Sequence, residues 1–165
     1  MIAEFNLGRL RHDWDDPRVA PFVDALARVY ALATHAPGYV WSLPEEEMEK
    51  VQLDPDGPLG GDPRIASTLS VWESVEALRA FAHEGVHAAF LRRSSEWLEV
   101  WETPRMVLWT VPPGATPTVA DGVERLRALE RDGPSDFAYD WAYGLAREGH
   151  PARLNPQADA EGALT

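Results

Sequence analysis

Two helical stripes set among four short runs of strand-type residues constrain this chain more than anything else in it. The first stripe places Val19, Phe22, Val23, Leu26, Tyr30 and Ala33 on one helix face, between Asp15-Asp16-Pro17 and Pro37-Gly38. Aspartate before proline supplies an N-cap and a first-turn residue whose φ is already set. A second helix over 74–82 opens on Ser74, whose hydroxyl can cap it. Alternation or β-rich composition predicts strands over 3–10, 39–43, 64–72 and 105–111. The order β-α-β-β-α-β is the split βαβ, ferredoxin-like α+β arrangement, a four-stranded antiparallel sheet with both main helices on one face. After Gly85 a further helical piece is predicted over 86–100. An extra C-terminal helix is expected over 118–131, with Val119, Val123, Leu126 and Leu129 buried. The acidic, Pro/Gly-rich stretch 44–63 reads as a long surface loop with room for one helical turn, either a solvated connection of no function or a cap over a pocket. Residues 1–150 are expected to form a single domain and 151–165 a polar tail.

The strands are apolar in both phases: Val107, Trp109 and Val111 in one, Met106 and Leu108 in the other. A sheet apolar on both faces, with helices assigned to only one, needs cover from elsewhere. A homodimer packed sheet against sheet is the expectation. The charge balance, 27 acidic against 15 basic side chains, gives −12 and repels phosphate backbones and anionic lipid. Neither nucleic acid nor a membrane is therefore an expected partner. Cysteine is absent, which excludes disulfides, thiolate nucleophiles and Cys-ligated metal centres. No apolar run approaches the ~20 residues that span a bilayer. The first ten residues lack a basic n-region and an h-region, so a cytoplasmic location is expected. Seven tryptophans point to an aromatic-lined interior.

The segment Ser70-Val71-Trp72-Glu73-Ser74, followed by Glu76-Ala77-Leu78 and then His87 and Phe90, resembles the strand-to-helix region of dimeric α/β-barrel proteins. That superfamily includes antibiotic-biosynthesis monooxygenases and haem-degrading monooxygenases. Four segments are similar to a bacterial family, domain of unknown function 3291. They are Leu7-Gly8-Arg9-Leu10, Asp16-Pro17-Arg18, Phe90-Leu91-Arg92-Arg93 with Glu96-Trp97, and Val107-Leu108-Trp109 before Pro112. The resemblance implies a dimeric α/β barrel. It also implies an enzyme acting on an apolar, aromatic or polycyclic small molecule, by monooxygenation or by cofactor-free cyclisation or isomerisation, as in natural-product tailoring. A non-catalytic ligand-binding or stress-related module is the alternative. Family members usually carry asparagine where Thr68 stands and tyrosine where His83 stands, differences expected to fall near the pocket.

Three residues are candidates for catalysis. His87 shares a helical face with Phe90, Leu91, Ser94 and Leu98, and a desolvated imidazole stays neutral and can relay a proton. A core histidine bonded to a carbonyl is the other reading. Asn6 is a buried-amide candidate, for a ligand carbonyl or for a structural bond. Arg93, beside Trp97, has the fork to hold a carboxylate or enolate oxygen, or else forms a surface pair with Glu96 or Glu99. Tyr30, Trp41, Trp72, Phe90, Trp97 and Trp109 are candidate walls of a substrate pocket, with core packing as the alternative for each. His83 and His87 have the spacing of two ligands on one helix, but no third ligand accompanies them and no metal is expected. Haem-degrading relatives use a strand asparagine with a tryptophan and a histidine on the second helix. Asn6 matches; Phe81 stands for the tryptophan, and His87 lies a turn before the ligand position near Leu91. Haem is thus a remote alternative, and no bound cofactor is expected.

Overall fold

Strand β1 (Ile2–Arg9) is the centre of the sheet. It pairs antiparallel with β3 (Ile65–Trp72) on one side and β4 (Met106–Thr110) on the other. Strand β2 (Tyr39–Ser42) adds to the far edge of β3, so the order is β2-β3-β1-β4, the ferredoxin-like α+β sheet. The structure is a computed structural model that describes residues 1–83, 88–89 and 92–149. Register places Glu4 between Ser70 and Leu108, and Asn6 between Thr68 and Met106. Alternate residues of a strand share a face. One face therefore carries Ile2, Glu4, Asn6, Thr68, Ser70 and Trp72. The other carries Ala3, Phe5, Leu69, Val71, Val107 and Trp109.

Helices α1 (Ala20–Ala33) and α3 (Val75–His83) lie over the Glu4 face. In α3, Val75 and Leu78 pack on Ile2, Trp72 and Leu108, and the Ala77 N–H donates to the Ser74 hydroxyl at 3.0 Å, the cap expected from sequence. Helix α1 starts later than the Asp-Pro signal suggests. The Asp16 carboxylate accepts from the Arg18 N–H at 2.9 Å and from its guanidinium at 2.6 Å, so it caps a tight turn instead. The helix begins after Val19, with Pro21 in its first turn.

The second face of the sheet is covered from within the chain. Over β1 and β4 on that face lies α4 (Val119–Asp132), whose Val123, Leu126 and Leu129 join Phe5, Val107 and Trp109 in one core. Its first turn is fixed by a reciprocal pair, the Asp121 N–H donating to Thr118 Oγ1 at 3.1 Å and the Thr118 N–H donating to Asp121 at 2.8 Å. Contact with the sheet is close enough that a Cβ on Gly122 would stand 2.5 Å from Phe5 Cγ. The two-phase apolar pattern therefore does signal two covered faces, but α4 supplies the cover.

Two expectations are corrected. The stretch 44–63 contains a helix, α2 (Glu45–Leu53), with three glutamates in its first turn, where the helix dipole favours them, and Lys50 paired to Glu46 and Glu47. Only Met48 of α2 is buried, so the segment has no apolar stripe to announce it. The helix predicted over 86–100 does not run that far. Residues Ser94–Glu96 form a single 3-10 turn, Trp97 is buried against Leu10 and Val19, and Leu98 bridges Leu10 as a short extension beside β1. Two consecutive serines offer the backbone little reason to stay helical, and burial of Trp97 pulls the chain toward β1. Beyond α4, Tyr139 bonds Leu108 in both directions at 2.8 and 2.9 Å, and the seven-residue α5 (Trp141–Arg147) follows. Glu148 then accepts from the N–H groups of Val75 and Glu76, capping α3. Among the described residues no helix is long and apolar enough to cross a membrane.

Candidate functional site

The apolar stripe of α1 has the right period, yet no residue of that helix is fully buried. Phe22, Val23, Leu26, Val29, Tyr30 and Ala33 are half-buried because they line a cavity of about 580 Å³ between α1 and the sheet. Helix α2 forms a further wall through Met48 and Gln52, with the exposed Glu45 and Glu49 at its rim. At one end Trp97 and Phe22 approach with ring centroids 6.1 Å apart. At the other, Trp72 stacks on Phe81 at 5.2 Å and meets the Tyr39 ring edge-on at 5.5 Å. Trp141 closes that end beside His83, centroid to centroid 5.6 Å.

A carboxyl group lies in this apolar chamber. Glu4 is 4% exposed and lines the cavity from the sheet. Its Oε1 accepts from Asn6 Nδ2 at 2.5 Å, and its Oε2 accepts from the Ser70 hydroxyl at 2.9 Å. Ser70 in turn accepts from the Trp72 indole N–H at 3.0 Å. The second Asn6 amide hydrogen goes to Thr68 Oγ1 at 2.7 Å. Burial raises the Glu4 pKa to about 7, and the bonds from Asn6 and Ser70 only partly oppose that rise. Near neutrality the group therefore exchanges a proton readily, the condition a general base or acid requires. Tyr30 faces the same interior. Burial, then the charges of Glu45 and Glu4, push its phenol up to about 12, so it stays protonated as a donor.

Of the residues singled out from sequence, Asn6, Tyr30, Trp72 and Trp97 line the cavity. So do Thr68 and His83, the two departures from the family pattern. His87 and Phe90 lie outside the described residues, and with His87 the His83–His87 pair. Arg93 sits on the surface, its guanidinium bonded twice to Glu96 at 2.9 Å and stacked over Trp97 at 4.8 Å. That is the surface pair, away from the cavity wall. Trp41 and Trp109 belong to the core on the α4 side, Trp109 beneath the Arg125 guanidinium at 5.0 Å.

Glu4 was legible only in part. Alternation along 3–10 groups it with Asn6 and Gly8, but the same pattern describes a strand with one wet face. The further signal was the matching polar pair Thr68 and Ser70 on β3, which becomes informative once the register sets them opposite.

A second buried charge lies outside the cavity. Arg105 is 1% exposed, its guanidinium 4.5 Å over the Trp101 ring, and none of its three side-chain nitrogens has a hydrogen-bond partner among the described residues. Burial lowers its pKa, with the nearby Glu99 charge opposing.

Among solved structures the chain is similar to SnoaB, a cofactor-independent oxygenase from Streptomyces nogalater, at 14% identity and a TM-score of 0.43, over 70% of this chain and 97% of that one. It is also similar to NE2512, a protein of unknown function from Nitrosomonas europaea, at 15% identity and a TM-score of 0.44, over 71% and 94%. No curated protein matches it. The model of the family Domain of unknown function (DUF3291) matches residues 1–154, and the chain belongs to that family.

Proposed function

We propose that this protein is a small-molecule enzyme in which Glu4 acts as general base on an apolar, aromatic substrate held between the sheet and α1. The observation that carries the reading is a carboxyl group buried in a cavity of about 580 Å³, with its pKa raised to about 7. Volumes of that order suit a drug-sized or polycyclic molecule. Glu4 takes the acid–base role that the sequence alone offered to His87. Asn6 is a positioning residue, because both of its amide hydrogens are committed to Glu4 and Thr68.

The chemistry follows from the groups present. A proton adjacent to a substrate carbonyl passes to the Glu4 carboxylate, and the electron pair moves onto the carbonyl oxygen. The protonated Tyr30 phenol is a donor suited to that oxygen. Return of the proton to a different atom completes an isomerisation, or a cyclisation once a ring has closed. Oxygenation of the same enolate would need dioxygen as co-reactant.

Nitrobenzisoxazole tests the base without knowledge of the substrate. A base removes its C–H proton, the N–O bond breaks, and a coloured cyano-nitrophenolate is released. The protein is expected to accelerate ring opening with a rate that rises through about pH 7. Glu4→Gln should abolish the acceleration. A rate no greater than that of free carboxylate, or a fully active Glu4→Gln variant, would overturn the assignment.

A further inference from the structure

The cavity is charged on one sign only. Glu4 reaches it from the sheet, and Glu45 and Glu49 reach it from α2 at the rim; among the described lining residues there is neither lysine nor arginine. Its uncharged polar groups include Asn6, Tyr30, Tyr39, Ser42, Thr68 and Ser70, with His83 at the aromatic end. The Tyr39 hydroxyl is hydrogen-bonded to Ser42 at 2.7 Å, and the Tyr39 and Trp72 rings stand edge to face at 5.5 Å. An anionic ligand entering here would lose its hydration and meet a carboxylate with no guanidinium or ammonium to offset it. A cationic ligand meets the opposite situation. Aromatic faces attract it, a desolvated carboxylate pairs with it, and the −12 net charge raises its local concentration.

We propose that the ligand of this cavity is an aromatic molecule bearing a basic amine, bound as the ammonium, and that carboxylate and phosphate compounds of the same size are rejected. This inference rests on the cavity's being the substrate site and adds the charge class of what it takes. The acidic rim is not the site by itself. The aromatic chamber supplies the volume, and Glu4 within it supplies the sign.

Three probes on one skeleton separate the possibilities: naphthylmethylamine, naphthylmethanol and naphthoic acid, titrated calorimetrically into the full chain. At about pH 8, above the ordinary histidine range, the amine remains charged. The amine should bind about tenfold or more tighter than the alcohol, a difference of roughly 1.4 kcal/mol, and the acid should not bind measurably. Glu4→Gln should bring the amine-to-alcohol ratio close to one. Acid binding equal to that of the amine, or a ratio unchanged in Glu4→Gln, overturns the proposal. Amine and alcohol binding alike overturns the charge preference alone. Failure of both to bind overturns the cavity reading itself, and a Leu26→Trp variant, which fills the chamber, checks that any binding seen is located there.

Discussion

The Glu4 carboxylate and the Asn6 amide, two residues apart on one face of β1, meet at 2.5 Å. Side chains at such positions leave the strand about 7 Å apart, so each leans toward the other to make this contact. The bond favours the ionised carboxyl and holds the Glu4 pKa below the value burial alone would give. Asn6→Ala is therefore expected to move the Glu4 titration upward by about one unit, since a hydrogen bond to a charged group contributes on the order of 1.5 kcal/mol. The pH profile of nitrobenzisoxazole ring opening reads this shift. An unmoved profile with only a lower rate would show that Asn6 does not act through Glu4.

Glu4 also gives stability a specific pH dependence. In the folded protein it holds its proton up to about pH 7, against 4.5 as its ordinary value. Between those values the folded state binds more protons than the unfolded chain, so stability falls as pH rises and levels off above about pH 7. The shift corresponds to about 3 kcal/mol. Glu4→Gln mimics the protonated group: its amide oxygen still accepts from Asn6, and its amide N–H faces the Ser70 oxygen in place of the bond that Ser70 donates in the parent. In urea unfolding it should match the parent protein near pH 4.5 and exceed it at about pH 8 by up to that amount. Equal stability at both pH values would contradict the raised pKa.

Arg105 is a buried cation without a hydrogen-bonding partner among the described residues, and such groups are tolerated rather than stabilising. Arg105→Met keeps the stem and its packing against Trp101 while removing the charge. The expected outcome is a Tm unchanged or raised, by about 1–2 kcal/mol in unfolding free energy. A loss of 3 kcal/mol or more, on the scale of breaking a buried pair at about 3–5 kcal/mol, would mean that the guanidinium is paired in solution.

Gly122 allows α4 to lie on Phe5. Alanine is the better helix former by about 1 kcal/mol, but its Cβ would stand 2.5 Å from the ring of a fully buried strand residue. Gly122→Ala should therefore destabilise by about 1–3 kcal/mol, and Phe5→Leu in the same chain should recover part of the loss. A neutral or stabilising Gly122→Ala would show that α4 does not pack as described.

The sheet was legible because its strands are bounded by strong turn signals and carry the right period, and α4 because Val119, Val123, Leu126 and Leu129 recur at helical spacing. What covers the second face was not, since apolar residues in both phases of β4 say that both faces are buried and nothing about what buries them. The site was half legible. Asn6, Tyr30, Trp72 and Trp97 were recognised as types suited to a pocket, whereas Trp41 and Trp109, identical in type, fall on the opposite side of the sheet. Residue type cannot assign a face; register does. Helix α2 escaped notice because it buries one methionine and otherwise reads as a solvated acidic run.

The most direct measurement is a carbon-detected NMR titration of the glutamate side-chain carboxyls, with Glu4 assigned by the signal lost in Glu4→Gln. A midpoint close to pH 7 is the predicted result. A midpoint near 4.5, the ordinary value for a hydrated glutamate, would contradict both the buried base and the function built on it.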